Sequence, residues 1–193
     1  MQFILSDFVE RLEEQMLLNE LTTKTLAQKT NIDKSTISAW RRREYSPSTQ
    51  NFLKLVEFFN CSADYLVGLV EFPSDNVTYH TPVYKYGKIL RSLLATHKVS
   101  QEKFLESMNL SSNLLYKWLT DKNVPSVENL VRIAQFFEIS LDTLIGRVNK
   151  DNEKTAPPLV SNMQAAFFVG KRIFSVKKRK KIKVSRKNIK KSA

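Results

Sequence analysis

Residues 22–43 read TTKTLAQKTNIDKSTISAWRRR, and the spacing of apolar residues in this stretch predicts two short helices that cross. Leu26 and Ala27 supply the buried side of the first, while Ile37 and Trp40, three residues apart, lie on one face of the second. Ile32 falls at the bend between them. Asn31 stands at the corner, and Asn is the non-glycine residue that best tolerates the left-handed backbone of a tight turn. Asp33 is a good N-cap for the second helix, which then turns a small polar face outward: Lys34, Ser35, Ser38 and Ala39. Arg41, Arg42 and Arg43 close that helix, where they suit both the negative end of its dipole and a phosphate group. The stretch therefore fits a DNA-binding helix-turn-helix.

The strongest support lies elsewhere in the chain. A shift of the sequence against itself by 78 positions lays Trp40 on Trp118, Pro47-Ser48 on Pro125-Ser126 and Asn51 on Asn129. The same shift lays Phe58-Phe59 on Phe136-Phe137, and Asp64, Leu66 and Gly68 on Asp142, Leu144 and Gly146. Ungapped self-similarity of this kind marks two copies of one module. The 193 residues therefore divide into two small domains, with expected boundaries at 1–69 and 84–148. A linker, 70–83, holds two prolines and a Ser-Asp-Asn cluster.

The net charge is +12, but the 13 lysines and arginines from Lys154 onward exceed it, and no Asp or Glu accompanies them, so residues 1–153 sum to −1. The basic balance belongs to the tail, 149–193, and is no argument for DNA binding by the modules. Within the tail, 163–176 is partly apolar but too short and too charged to span a bilayer. The rest reads as a disordered basic arm suited to non-specific nucleic acid, and contact with an anionic membrane stays open as a second reading. A single cysteine excludes an internal disulfide, and Cys61 aligns with Ile139, the place of a small buried residue. His80 and His97 lack partners at ligand spacing, so no metal is expected. Four glycines form no phosphate loop, no acid pair stands at a catalytic spacing, and neither enzyme activity nor a cofactor is expected. The opening MQFIL has neither the basic flank nor the apolar length of a signal peptide, which places the chain in the cytoplasm.

Each module reads as five helices with no strand, an all-α fold. In the first, Ser6 or Asp7 caps a helix carrying Phe8, Leu12 and Met16. Ser48 opens a fourth helix with Phe52, Leu55, Val56 and Phe59, and a short fifth ends at Gly68. In the second, Tyr86, Leu90 and Leu94 lie on the first helix. Ser100 caps the next, Asn109 takes the corner, and Ser111 caps the helix containing Leu115 and Trp118.

These residues resemble the lambda-repressor-like, Cro/repressor or xenobiotic-response-element (XRE) family of helix-turn-helix proteins. The resemblance rests on Leu21-Thr22-Thr23, on residues 34–40 (KSTISAW), on Pro47-Ser48 and on residues 62–68 (SADYLVG), and it occurs twice. It implies two tandem five-helix domains that bind double-stranded DNA. It carries the base-reading positions onto Lys34, Ser35 and Ala39 in the first copy and onto Ser112, Asn113 and Lys117 in the second. The helix-two contact falls on Thr23 and Gln101, and Ser38 and Tyr116 share the reading face. Asn113 suits a bidentate contact to adenine, Lys34 or Lys117 a guanine edge, and Arg41 to Arg43 the phosphates. The family pattern is broken in two places. Arg41 and Leu119 replace the usual acid after the Trp, and Arg43 and Asp121 replace the usual glycine at the end of helix three. The second copy also places Leu114 and Tyr116 at outward positions where small or polar residues are usual.

The resemblance implies a transcription regulator, a repressor of bacterial or phage type. The linker of about 14 residues would span roughly 45 Å extended, against about 34 Å between adjacent half-sites, so one chain can cover a non-palindromic site. A homodimer stays open. The alternative is an adaptor or antirepressor whose modules bind protein. A self-cleaving C-terminal domain is not expected, because the residues after Gly146 are too few and too basic.

Overall fold

The computed structural model describes residues 2–72, 79–82 and 85–147, with side chains from Leu5 onward. The readings made of the basic tail and of the middle of the linker fall outside the described residues. Those that are described form helices and no strand. The first module holds α1 (Gln2–Leu18), α2 (Thr23–Thr30), α3 (Lys34–Arg41), α4 (Thr49–Phe59) and α5 (Ala63–Leu66). The second holds α6 (Tyr86–Thr96), α7 (Gln101–Met108), α8 (Ser112–Leu119), α9 (Val127–Phe137) and α10 (Leu141–Leu144).

Helices α2 to α5 and α7 to α10 begin and end 78 residues apart without exception. The left-handed backbone positions obey the same shift: Glu20 and Lys98, Asn31 and Asn109, Arg43 and Asp121, Asn60 and Glu138, Gly68 and Gly146. Both corner asparagines have the expected conformation, Asn31 at φ 50° and Asn109 at φ 49°. A cation from the fourth helix seals each corner. Lys54 Nζ donates to the Asn31 carbonyl at 3.1 Å, and Arg132 donates to the Met108 carbonyl, so carbonyls that a helix C-terminus leaves open find partners.

Serines cap as expected: Ser48, Ser100 and Ser111 accept from the backbone N–H groups of Asn51, Lys103 and Leu114. Two expectations are corrected. Helix α1 begins at Gln2, not at Ser6 or Asp7, so those residues lie inside it. Asp33 occupies the N-cap position of α3, but its carboxylate makes no capping bond.

Phe8, Leu12, Leu26, Ile37, Trp40 and Phe52 fill the first core, with the Trp40 ring edge-on to Phe8 at 5.9 Å. The second module moves its aromatic cluster: Phe104 stacks on Phe137 and meets Phe136 edge-on. It also closes up elsewhere. Gly87 on α6 lies so near α8 that a Cβ there would stand 2.4 Å from the Leu119 carbonyl oxygen.

One apolar core continues from module to module. At the seam, α5 and α10 cap each other: Ala63 N–H donates to Asp142 at 2.9 Å, and Leu141 N–H donates to Asp64 at 3.0 Å. Ser62 adds its hydroxyl to Asp142 at 2.8 Å. Arg147, 1% exposed, donates to Asp142 at 2.7 Å and to the Cys61 and Val56 carbonyls. The end of the linker is tied to the same place. His80 N–H donates to the Arg147 carbonyl, and the Arg147 guanidinium lies 4.4 Å over the Tyr79 ring.

Candidate nucleic-acid interface

Ile37 and Trp40 anchor α3 by full burial, which leaves its other side to solvent. Lys34 and Ser35 are exposed there, and Ser38 is half-buried. Ala39 does not join them. It is 4% exposed, and beyond it the chain turns back after the left-handed Arg43 so that Glu44 N–H donates to the Ala39 carbonyl at 3.0 Å. The outward position expected of Ala39 is corrected accordingly.

The three arginines lie at the C-terminal end of α3, each beside an acid. Arg41 donates to Glu13 at 3.2 Å and to the Thr23 hydroxyl at 2.9 Å, tying α1, α2 and α3 together. Arg42 donates to Glu44 at 2.6 Å, and Arg43 stands 3.8 Å from Glu10. The Arg42–Glu44 bond holds the arginine above its ordinary pKa and the glutamate below. All of these side chains are well exposed, so such pairs add little to stability and yield readily to a competing anion.

In the second module Gln101, Ser112, Asn113, Tyr116 and Lys117 are all exposed on α7 and α8. Leu114, expected to be exposed, is half-buried and packed on the core, which removes one of the two apolar residues that set this face apart. Tyr116 remains, 54% exposed, with Lys122 Nζ 5.0 Å above its ring.

Sequence reasoning missed Arg91 on α6, which donates to the Leu119 carbonyl at the end of α8. Its equivalent is Glu13, the partner of Arg41, and the equivalent of Arg41 is Leu119. Each module therefore places one arginine at the junction of its first and third helices, but from opposite sides. The shift by 78 lays Arg91 on Glu13 and contained that signal. Among the described residues no group of acids, histidines or cysteine is arranged to hold a metal, and no helix is long and apolar enough to cross a membrane.

Two family descriptions match: Helix-turn-helix over residues 12–66, and Cro/C1-type HTH DNA-binding domain over residues 89–150. An uncharacterised HTH-type transcriptional regulator of Rickettsia prowazekii is 37% identical over 62 residues, covering 30% of this chain and 67% of its own length. The chain belongs to the Cro/C1-type helix-turn-helix family. A second uncharacterised HTH-type transcriptional regulator, from Rickettsia conorii, is 36% identical over 62 residues, covering 30% of this chain and 57% of its own. The HTH-type transcriptional regulator ImmR of Bacillus subtilis is 36% identical over 69 residues, covering 36% and 54%. The chain thus spans little more than half the length of these last two. No solved structure matches it. The Cro/C1-type pattern is present in tandem, and α2–α3 and α7–α8 are its two helix-turn-helix units.

Proposed function

We propose that the chain is a sequence-specific DNA-binding transcription regulator of the repressor kind. Helices α3 and α8 enter the major groove while α2 and α7 cross the backbone. The observation that carries this reading is that two eight-residue helices at matched positions are each pinned by a buried tryptophan and turn polar side chains to solvent. Lys34, Ser35 and Ser38 read one half-site, with Thr23 at the backbone. Asn113, Ser112, Tyr116 and Lys117 read the other, with Gln101 in the place of Thr23. Arg41, Arg42 and Arg43 exchange their acidic partners for phosphates. The modules span 1–69 and 84–148, and the basic tail adds attraction to any nucleic acid. Because the two reading sets differ, the site is not a perfect palindrome.

A second reading, protein contact by the second module, draws on the exposed Tyr116 and Val124. Selection of sites from random duplex DNA by the full chain, at about 150 mM salt where non-specific phosphate binding is weak, separates the two. A motif with arms that respond separately to Lys34→Ala and Asn113→Ala supports two readers. A motif that responds only to Lys34→Ala leaves the second module to protein, and no motif at all refutes the regulator.

A further inference from the structure

We propose that a single chain occupies a single operator as an internal pseudo-dimer, with two unlike half-sites in inverted orientation at a spacing fixed by the α5–α10 seam. The proposal rests on the DNA-reading assignment above and adds orientation, spacing and stoichiometry to it. A tether of linker length by itself permits inverted or direct arms at many spacings, so the seam has to supply the constraint.

The contacts at the seam exchange. Ala63 of module one donates to Asp142 of module two, and Leu141, the equivalent of Ala63, donates to Asp64, the equivalent of Asp142. When residue i meets j across an interface and j meets i, the two bodies are related by a twofold axis. A head-to-tail arrangement has no such return contact. A twofold axis reverses the second reading helix relative to the first, so the half-sites must be inverted, as they are for symmetric dimers.

The seam is also built to be closed by one chain. Asp64 and Asp142 are each 3% exposed, and their bonds to the facing helix N-termini are satisfied within the molecule. Arg147 breaks the symmetry, since its equivalent is Leu69. It reaches two carbonyls of module one while paired to Asp142 of module two. Thr49 breaks it again by donating to the Pro125 carbonyl at 2.6 Å, where its equivalent Val127 has no hydroxyl to return. A second copy would have to displace bonds already made, while the tether keeps the internal partner at an effective concentration of about millimolar.

The test uses the full chain with random duplex DNA, and then a graft that makes the second reading helix copy the first: Gln101→Thr, Ser112→Lys, Asn113→Ser, Tyr116→Ser and Lys117→Ala together. All five positions are exposed, and thermal melting checks that the graft folds. The native chain is expected to select two unlike arms at one spacing, with one chain per duplex by mass. The graft is expected to convert the site to an inverted repeat of the first arm. Adding about 5 base pairs, half a helical turn, between the arms is expected to weaken binding about 100-fold.

Selection of a direct repeat by the graft overturns the twofold, and arms at scattered spacings overturn the fixed seam. Two chains on each native site overturn the internal pairing. In all three cases DNA reading itself survives. If the native chain selects no motif, the underlying assignment fails and the inference fails with it. Should the graft not fold, the reciprocal exchange in module one, Thr23→Gln, Lys34→Ser and Ser35→Asn, gives the same choice between an inverted and a direct repeat, read on the other arm.

Discussion

The two modules share a backbone and little of their surface. Helix limits and left-handed corners agree position by position across the shift of 78. Yet Glu13 opposes Arg91, Leu69 opposes Arg147, Val9 opposes Gly87, and a serine-and-lysine reading face opposes one with Asn113 and Tyr116. The corner needs a residue that accepts positive φ, the third helix needs a tryptophan to pin it, and little else is demanded of either copy. The differences fall in three places: at the seam, where Arg147 takes the place of Leu69, on the exposed faces of the third helices, and inside the cores, where Gly87 takes the place of Val9 and Phe104 carries the aromatic cluster of the second module. One backbone therefore tolerates different packing within as well as different chemistry outside.

Making the second module like the first at the seam is the strongest way to break this comparison. Arg147→Leu installs the residue of the first module and leaves Asp142 buried without its cation. Loss of one partner of a buried pair costs about 3–5 kcal/mol, so a drop of that size in unfolding free energy, read from denaturant titration, is expected. Unfolding in two separated transitions is also expected, where the native chain, with one continuous core, unfolds in one. Leu69→Ala in the first module provides the control and should leave the single transition intact. Gly87→Ala comes next. Its added methyl meets the Leu119 and Trp118 carbonyls, backbone that cannot move aside, and overpacking of this kind costs about 1–3 kcal/mol. Val9 on α1, buried without such conflict, should accept Ala with loss of packing alone.

Much of the fold is legible in the amino-acid sequence alone. Asn31 and Asn109, the serine caps and the stripe from Phe8 to Phe52 follow from local chemistry and periodicity. The α3 surface is misread at Ala39 because helical periodicity places that residue outward, while it is 4% exposed and its equivalent Lys117, on the same backbone, is exposed. The α6–α8 arginine contact is legible only in the shift of 78, where Arg91 stands against Glu13 and Leu119 against Arg41, and no motif within the second module marks it. The seam is not legible at all. Asp64 and Asp142 occupy the first turns of short helices, where an acid normally faces water, and the donors they find are 77 and 79 residues away. Long-range capping leaves no periodic trace, and Arg147, next to last in the expected second domain, follows the closing Gly146 with no motif that points to the seam.

The same two aspartates give the comparison a pH dependence. Burial, and then the nearby Asp142 carboxylate, push Asp64 up to about 7 from an ordinary 3.8. Burial also raises Asp142 against the pull of Arg147. A carboxyl whose pKa is raised by folding binds more protons in the native state than in the unfolded one, so stability falls as pH rises between the two values. Unfolding free energy is therefore expected to decline from about pH 4 to pH 7 and to level off above it, the reverse of a protein held by ionised surface carboxylates. Asp64→Asn keeps an acceptor for Leu141 N–H and should flatten that decline. A profile that rises over this range in the native chain would show that Asp64 is stabilised in its charged form.

The smallest effect separates the modules at one matched position. Arg43 and Asp121 both hold left-handed backbone, at φ 59° and 56°, where glycine is free of the steric penalty that a Cβ brings. Arg43→Gly removes that strain and loses only an exposed ion pair with Glu10 at 3.8 Å, so a gain of about 0.5 kcal/mol is expected. Asp121→Gly relieves the same strain, but Asp121 Oδ1 accepts from Gly87 N–H at 2.8 Å and holds the first turn of α6. Loss of such a cap costs about 1 kcal/mol, which exceeds the gain, so the second substitution should destabilise. Thermal melts of the two variants would then move in opposite directions from one backbone change at equivalent sites. Movement in the same direction would mean that the carboxylate of Asp121 contributes nothing to α6, and that the two corners are alike in energy as well as in shape.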